Sequence, residues 1–177
     1  MYPLYNRWVI RPGARLERLG NTLWRTLIAF LPSLAQPDDA YARTLLSEAE
    51  FGLYQMMDVR DRAHACGVAR RLVALDPAAP AELRRASLLH DVGKAGGRYN
   101  PLARIIAALY TPAQIAPAPR LSGLRGAWQV KRHHDRYGAE LILAAGGGRR
   151  VAEIVARHHR PNGDLAAAQL RDVDARF

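Results

Sequence analysis

A chain of 177 residues and 19.6 kDa is the size of one domain, long enough to bury well over half of its unfolded surface around a single core. With 49% hydrophobic, 24% charged and 7% aromatic residues it is neither disordered nor fibrous, and the lone Cys66 excludes both an internal disulfide framework and a thiolate zinc site within one chain. The net charge of +10 suits an anionic partner, yet only Lys94 and Lys131 among the 26 cations are lysines, and no nucleic-acid-binding motif accompanies the arginines.

The predicted elements are helical throughout. From Pro12 to Leu31 the positions Leu16, Leu19, Leu23, Leu27 and Phe30 recur every three or four residues, opposite Arg15, Arg18 and Arg25. This is the pattern of an amphipathic helix that packs on the domain, so residues 1–44 are expected to form an N-terminal helical extension and residues 45–177 the main domain. The apolar run inside the extension is too short for a bilayer helix, carries Pro32 and starts too late for a secretory signal; a cytoplasmic location is expected. A second helical stretch begins beyond Pro37 and runs to about Met57, and a third starts at Asp58 and ends at "DPAAP". A fourth spans about Ala81 to Asp91 and stops at Gly93. Gly, Pro and Arg dominate from Gly96 to Gln129, a loop region around one helix near Pro101 to Tyr110. Three closing helices are predicted, from His134 to Ala145, Arg149 to His159 and about Asp164 to Phe177, which makes the fold all-α.

The six histidines fall on these helices in an informative way. His64 shares a face with Val68 and Leu72, and His90 follows Leu83 and Ala86 at helical spacing. His134 precedes Gly138, Leu141 and Ile142, and His158 follows Val151, Ile154 and Val155. A single inward imidazole is an ordinary hydrogen-bonded core residue, but four helices each aiming one inward create ring nitrogens that a bound cation would satisfy together. Asp91 stands beside His90, and the last helix offers Asp172 and Asp174, between which periodicity does not choose. Nitrogen and oxygen donors without sulfur suit iron, manganese, zinc, nickel or cobalt.

The order of these residues resembles the H…HD…D signature of the HD superfamily of metal-dependent phosphohydrolases. "DRAHACGVARRL" is similar to the first-histidine helix and "LLHDVGK" to the His-Asp helix with its Gly-Lys continuation. "HHDRYGAELI" and "VAEIVARHH" resemble the segments that carry the further three histidines, so that the likeness spans roughly residues 45 to 177. The resemblance implies an HD-domain helical bundle holding two divalent ions, iron or manganese first, then zinc, nickel or cobalt. By residue it assigns His64, His90 and Asp174 to one ion, His134, His158 and His159 to the other, and Asp91 to both. It prefers His134 to His133 for its spacing to Gly138, leaving His133 solvated or in a supporting place, and Asp174 to Asp172 for the "LRDVD" ending.

The implied activity is hydrolysis of a nucleotide or related small phosphoester by two-metal activation of water, with Asp91 and Lys94 as catalytic residues. Arg60, Arg98, Arg104, Lys131 and Arg132 join Lys94 as candidates for binding phosphate. Where the cyclic-di-GMP phosphodiesterase branch continues into a Gly-Tyr-Pro loop, this chain reads "HHRPNGDLAAA"; a branch resembling the symmetric diadenosine tetraphosphate hydrolases stays open. The alternative is a non-catalytic nucleotide-binding or signalling domain that has inherited the pocket. Oligomeric state is not readable from the chain.

Overall fold

The computed structural model describes residues 35–97 and 101–176. The predicted N-terminal helix and Arg98 lie outside the described residues. Among the described residues there are eight α-helices and no strand, in the order α1 (Asp39–Leu45), α2 (Glu48–Gln55), α3 (Val59–Leu75), α4 (Ala81–Leu89), α5 (Pro101–Leu109), α6 (Gly123–Ala144), α7 (Arg149–Arg157) and α8 (Leu165–Asp174). A short 3-10 turn, Val92–Lys94, follows α4. No helix among them is long and apolar enough to cross a membrane.

Two predicted boundaries differ. The stretch from Pro37 to Met57 is two helices, because Ser47 starts a new one: its hydroxyl accepts from the Glu50 amide while the Glu50 carboxylate accepts from the Ser47 amide. Leu46, extended between them, makes the bend. The second difference is α6, which begins at Gly123, well before His134. Its inward face begins with Gly126, Ala127 and Gln129, too small or too polar to announce a helix, before Val130, His134, Gly138 and Ile142 follow, and the preceding prolines conceal its start. Gly126 is required there, since a Cβ would overlap the carbonyl oxygen of Leu121.

α4 is the central element, touching α1, α2, α3, α7 and α8. Leu83, Ala86, Leu88 and Leu89 are fully buried on it, together with Tyr54, Leu72, Ile142, Ile154 and Leu170 from its neighbours. α1, which straddles the expected division at 44/45, adds Ala42 to this same core. A buried carboxylate ties three elements together. Glu50, fully buried, takes two hydrogen bonds from Arg85 on α4 (2.8 and 2.6 Å) and one from the amide of Gly148 (3.3 Å), the residue that caps α7. Its charge therefore meets a guanidinium and a helix N-terminus, which compensates the cost of burial and sets where α7 starts.

The loop before α6 is held by a polar ladder spaced four residues apart on that helix. Gln129 donates to the carbonyls of Ala116 and Pro119 and accepts from the Leu121 amide, His133 donates to the Ile115 carbonyl, and the Tyr137 hydroxyl donates to that of Pro117. A stretch without regular structure is thus fixed through its own carbonyls.

The turn after α4 lies directly on α6. A Cβ at Gly93 would overlap the carbonyl oxygen of His134 and stand 2.6 Å from the Gly138 amide nitrogen. Gly138 is crowded in return: a Cβ there would stand 3.1 Å from the Val155 side chain and 3.2 Å from both the Gly93 nitrogen and the Val92 side chain. Only hydrogen fits on the facing side at Gly93, because the obstacle is backbone that cannot rotate away.

Two predictions follow from these contacts. Gly93→Ala forces the turn off α6 and lowers the unfolding free energy by about 2–3 kcal/mol, measurable by urea denaturation. Asp164 caps α8 by accepting from the amides of Ala166 and Ala167, and takes both terminal nitrogens of Arg150 from α7; Arg150 holds its pKa down at about 2. Asp164→Ala is expected to cost about 1–2 kcal/mol at pH 7. Because the folded-state pKa is depressed, that difference is present above the ordinary carboxylate range and narrows as the pH falls from about 4 towards 2.

Candidate metal centre

His90 and Asp91 end α4 deep inside the protein, 1% and 3% exposed. His158 ends α7 in the same way and is fully buried. The carbonyls of a final helical turn lack intrahelical donors, and these two imidazoles use them: His90 Nδ1 donates to the Ser87 carbonyl (2.9 Å) and His158 Nδ1 to that of Val155 (2.7 Å). His134, within α6, donates Nδ1 to the Val130 carbonyl (3.0 Å). A carbonyl can only accept, so each Nδ1 carries its hydrogen and each Nε2 of a neutral ring presents a lone pair inward. The Nε2 atoms of His90 and His158 are buried without a hydrogen-bond partner.

The rings form a continuous series. His64 lies 5.4 Å from His90 between centroids, His90 5.4 Å from His158, His158 3.9 Å from His159, and His134 4.8 Å from His159. Two groups of donor atoms result, each within 4.8 Å across: His64, His90 and Asp174, and His134, His158 and His159. In the first, His64 Nε2 is 2.9 Å and His90 Nε2 3.6 Å from Asp174 Oδ1. In the second, the Nε2 atoms of His134 and His159 are 2.9 Å apart. Asp91 stands between the groups and turns one oxygen to each, Oδ2 3.6 Å from His90 Nε2 and Oδ1 3.4 Å from His134 Nε2.

Electrostatics prepare the same donors. Burial pushes the pKa of His134 down to about 4 and that of His158 to about 3, so both are neutral at pH 7. Burial also lowers that of His159, against the pull of Asp135 and Asp91. For Asp91 burial favours the protonated acid, but Lys94 and the surrounding imidazoles outweigh it and hold the group well below the ordinary range. Asp174 is likewise held down by the hydrogen bond from His64 and by the imidazole of His90 close by, in spite of burial. His90 goes the other way: burial opposes its charge, while Asp91 and Asp174 prevail and raise its pKa. Two ionised carboxylates, unprotonated ring nitrogens and the C-terminal ends of α4 and α7 all favour positive charge at one place. Orphaned Nε2 lone pairs are what a transition-metal ion satisfies, and the donor set, nitrogen and oxygen without sulfur, fits iron, manganese or zinc.

The structure also separates the alternatives. Asp172 is on the surface, accepting from Arg171 (2.9 Å), whereas Asp174 faces His64 and His90. His133, half-buried, turns to the loop before α6, where its ring donates to the Ile115 carbonyl, and is not among the grouped donor atoms. Lys94 Nζ is 2.5 Å from Asp91 Oδ2. Arg60 and Arg104 line a pocket of about 390 Å³ that Lys94 also borders, and each faces a carboxylate there, Asp58 and Asp61. Lys131 and Arg132 are exposed on α6, and Lys131 donates to the Ala108 carbonyl at the end of α5. The supporting carbonyls of Ser87, Val130 and Val155, and the contact of Gly93 with α6, were not visible in the sequence. The readable hint was position: each anchored histidine follows its carbonyl by three or four residues on a helix.

A family model for the HD domain matches residues 62–175. No curated protein and no solved structure matches the chain. The match covers more than half of the sequence and contains both donor groups and Asp91. The chain belongs to the HD-domain family.

Proposed function

We propose that this chain is a metal-dependent phosphohydrolase that cleaves a nucleotide or a related small phosphoester. The observation that carries the reading is the placement of Asp91, ionised, buried and turned one oxygen towards each histidine group. On this reading His64, His90 and Asp174 hold one divalent ion, His134, His158 and His159 a second, and Asp91 both. Ions bound there would lower the pKa of water towards neutrality and offset charge on a phosphoryl oxygen. Iron or manganese is the first choice for them.

The protein's own groups then have distinct tasks. The Nδ1 hydrogen bonds to Ser87, Val130 and Val155 fix three rings so that no rearrangement is needed when the donors are engaged. Lys94 neutralises Asp91 and, on a flexible stem at the border of the adjoining pocket, brings an ammonium to where negative charge develops on the phosphate. The dryness around Asp91 strengthens each of these interactions.

Metal analysis of the purified full chain, with phosphate release from a panel of nucleotides, cyclic dinucleotides and dinucleoside polyphosphates in Mn²⁺ or Fe²⁺, tests the proposal. Absence of both bound metal and turnover under reducing, metal-replete conditions would falsify it. Lys94→Ala is expected to retain metal while losing about 10²–10³-fold in kcat. Metal at a hundredfold excess over its Kd should stabilise the wild type by about 2.7 kcal/mol, read as a rise in Tm, and Asp91→Asn should remove most of that rise.

A further inference from the structure

Beside the donor groups, and separate from them, lies the pocket of about 390 Å³ between the α2–α3 junction, the turn after Lys94, and α5. Its volume is that of small-molecule sites, roughly 300–1,000 Å³. Lys94 is common to the pocket and to Asp91, so an occupant of the pocket that reaches Lys94 lies one side chain away from the candidate centre. Its charges decide what the remainder can be.

The arginines on its wall are matched by carboxylates on the same wall. Asp58 accepts from Arg60 through both oxygens, Oδ1 at 2.7 Å from Nε and Oδ2 at 2.9 Å from the terminal nitrogen. Asp61, 8% exposed, takes a terminal nitrogen of Arg104 at 2.7 Å on Oδ1. Lys94 itself is bonded to Asp91. Among the described residues the charges of the lining are therefore nearly balanced, despite the strongly basic chain. An anionic group placed against Arg60 or Arg104 would also lie against Asp58 or Asp61, and like charges at close range select against such a partner. Carboxylates pinned by guanidinium groups keep lone pairs for further donors, since each offers about four acceptor sites. Met56 and Met57 add polarizable thioethers of the kind that pack well on a flat ring.

We propose that this pocket takes the uncharged, hydroxyl-bearing part of the substrate, a nucleoside whose single phosphate is the scissile one, with Asp58 and Asp61 accepting hydrogen bonds from its sugar. Arg60 and Arg104 then orient those carboxylates and bind no second phosphate. The proposal rests on the phosphohydrolase reading and narrows its substrate class, because substrates carrying a remote phosphate are disfavoured.

Two measurements on the full chain test it. In the first, the Mn²⁺-loaded protein hydrolyses a nucleoside monophosphate, the matching nucleoside bisphosphate and p-nitrophenyl phosphate. The monophosphate is expected to exceed the bisphosphate about tenfold or more in kcat/KM. Asp61→Asn removes the negative charge facing Arg104 and makes the pocket more positive, so the ratio should fall towards unity or invert, a change that mere loss of structure would not produce. In the second, titration calorimetry follows binding of the unphosphorylated nucleoside to metal-free protein, expected to weaken about tenfold in Asp61→Asn. Turnover of p-nitrophenyl phosphate without preference for the monophosphate, or a ratio unmoved by Asp61→Asn, overturns the pocket assignment and leaves the hydrolase standing. Nucleoside binding that weakens in the variant, with no phosphoester turned over, supports the pocket and overturns the hydrolase.

Discussion

The backbone of the Val92–Lys94 turn rests on the backbone of α6, and no side chain fits between them. Asp91 comes one residue before that turn and His134 lies under it, so the close approach of two main chains brings a carboxylate from one helix to an imidazole from another. Gly138, one turn after His134, faces the turn in return, and a Cβ there would be tight at 3.2 Å from the Gly93 nitrogen. A contact of this kind is intolerant because neither partner can choose another rotamer. The geometry of the candidate centre thus depends on the absence of a side chain at Gly93 as much as on the donor side chains around it.

Around that contact the protein concentrates groups that a core ordinarily avoids. Burial keeps His134 and His158 neutral, and main-chain carbonyls fix which of their nitrogens carries hydrogen. Asp91 and Asp174 nevertheless stay ionised, because cationic and imidazole neighbours offset what burial costs them. Helices α4 and α7 end here and add the negative ends of their dipoles. Glu50 secures the arrangement from a distance, since the same carboxylate that pairs with Arg85 also caps the start of α7, whose end carries the paired histidines. The charge of the whole chain is a poor guide to this region: its arginines are spent on carboxylates in the pocket, and the centre itself favours a cation through local negative charge.

Much of the architecture was legible in the chain. Asp58 and the Pro-rich ending marked α3, and Arg149–Arg157 fell within its expected range. The break at Ser47 was also written there, as a Ser followed three residues later by Glu50, but the apolar pattern runs on across it and hides the cap. The start of α6 was hidden for another reason. The first turns of its buried face carry Gly126, Ala127 and Gln129, so the hydrophobic signal that normally reports a buried helix is weak where the helix begins. His133 shows the limit of reading single residues: adjacent to a candidate ligand and identical to it in type, it points about a third of a turn away and holds a loop.

The sequence by itself determined the helical content, the inward placement of four imidazoles and the HD-domain match over residues 62–175, because periodicity and residue order are properties of the chain alone. Only the tertiary structure decided that Asp91 turns one oxygen to each histidine group, that Asp174 and not Asp172 enters the first, and that Arg60 and Arg104 face carboxylates. These facts depend on distances between atoms far apart in the chain. Such distances are set by how closely helices approach, and at Gly93 that is a matter of backbone against backbone.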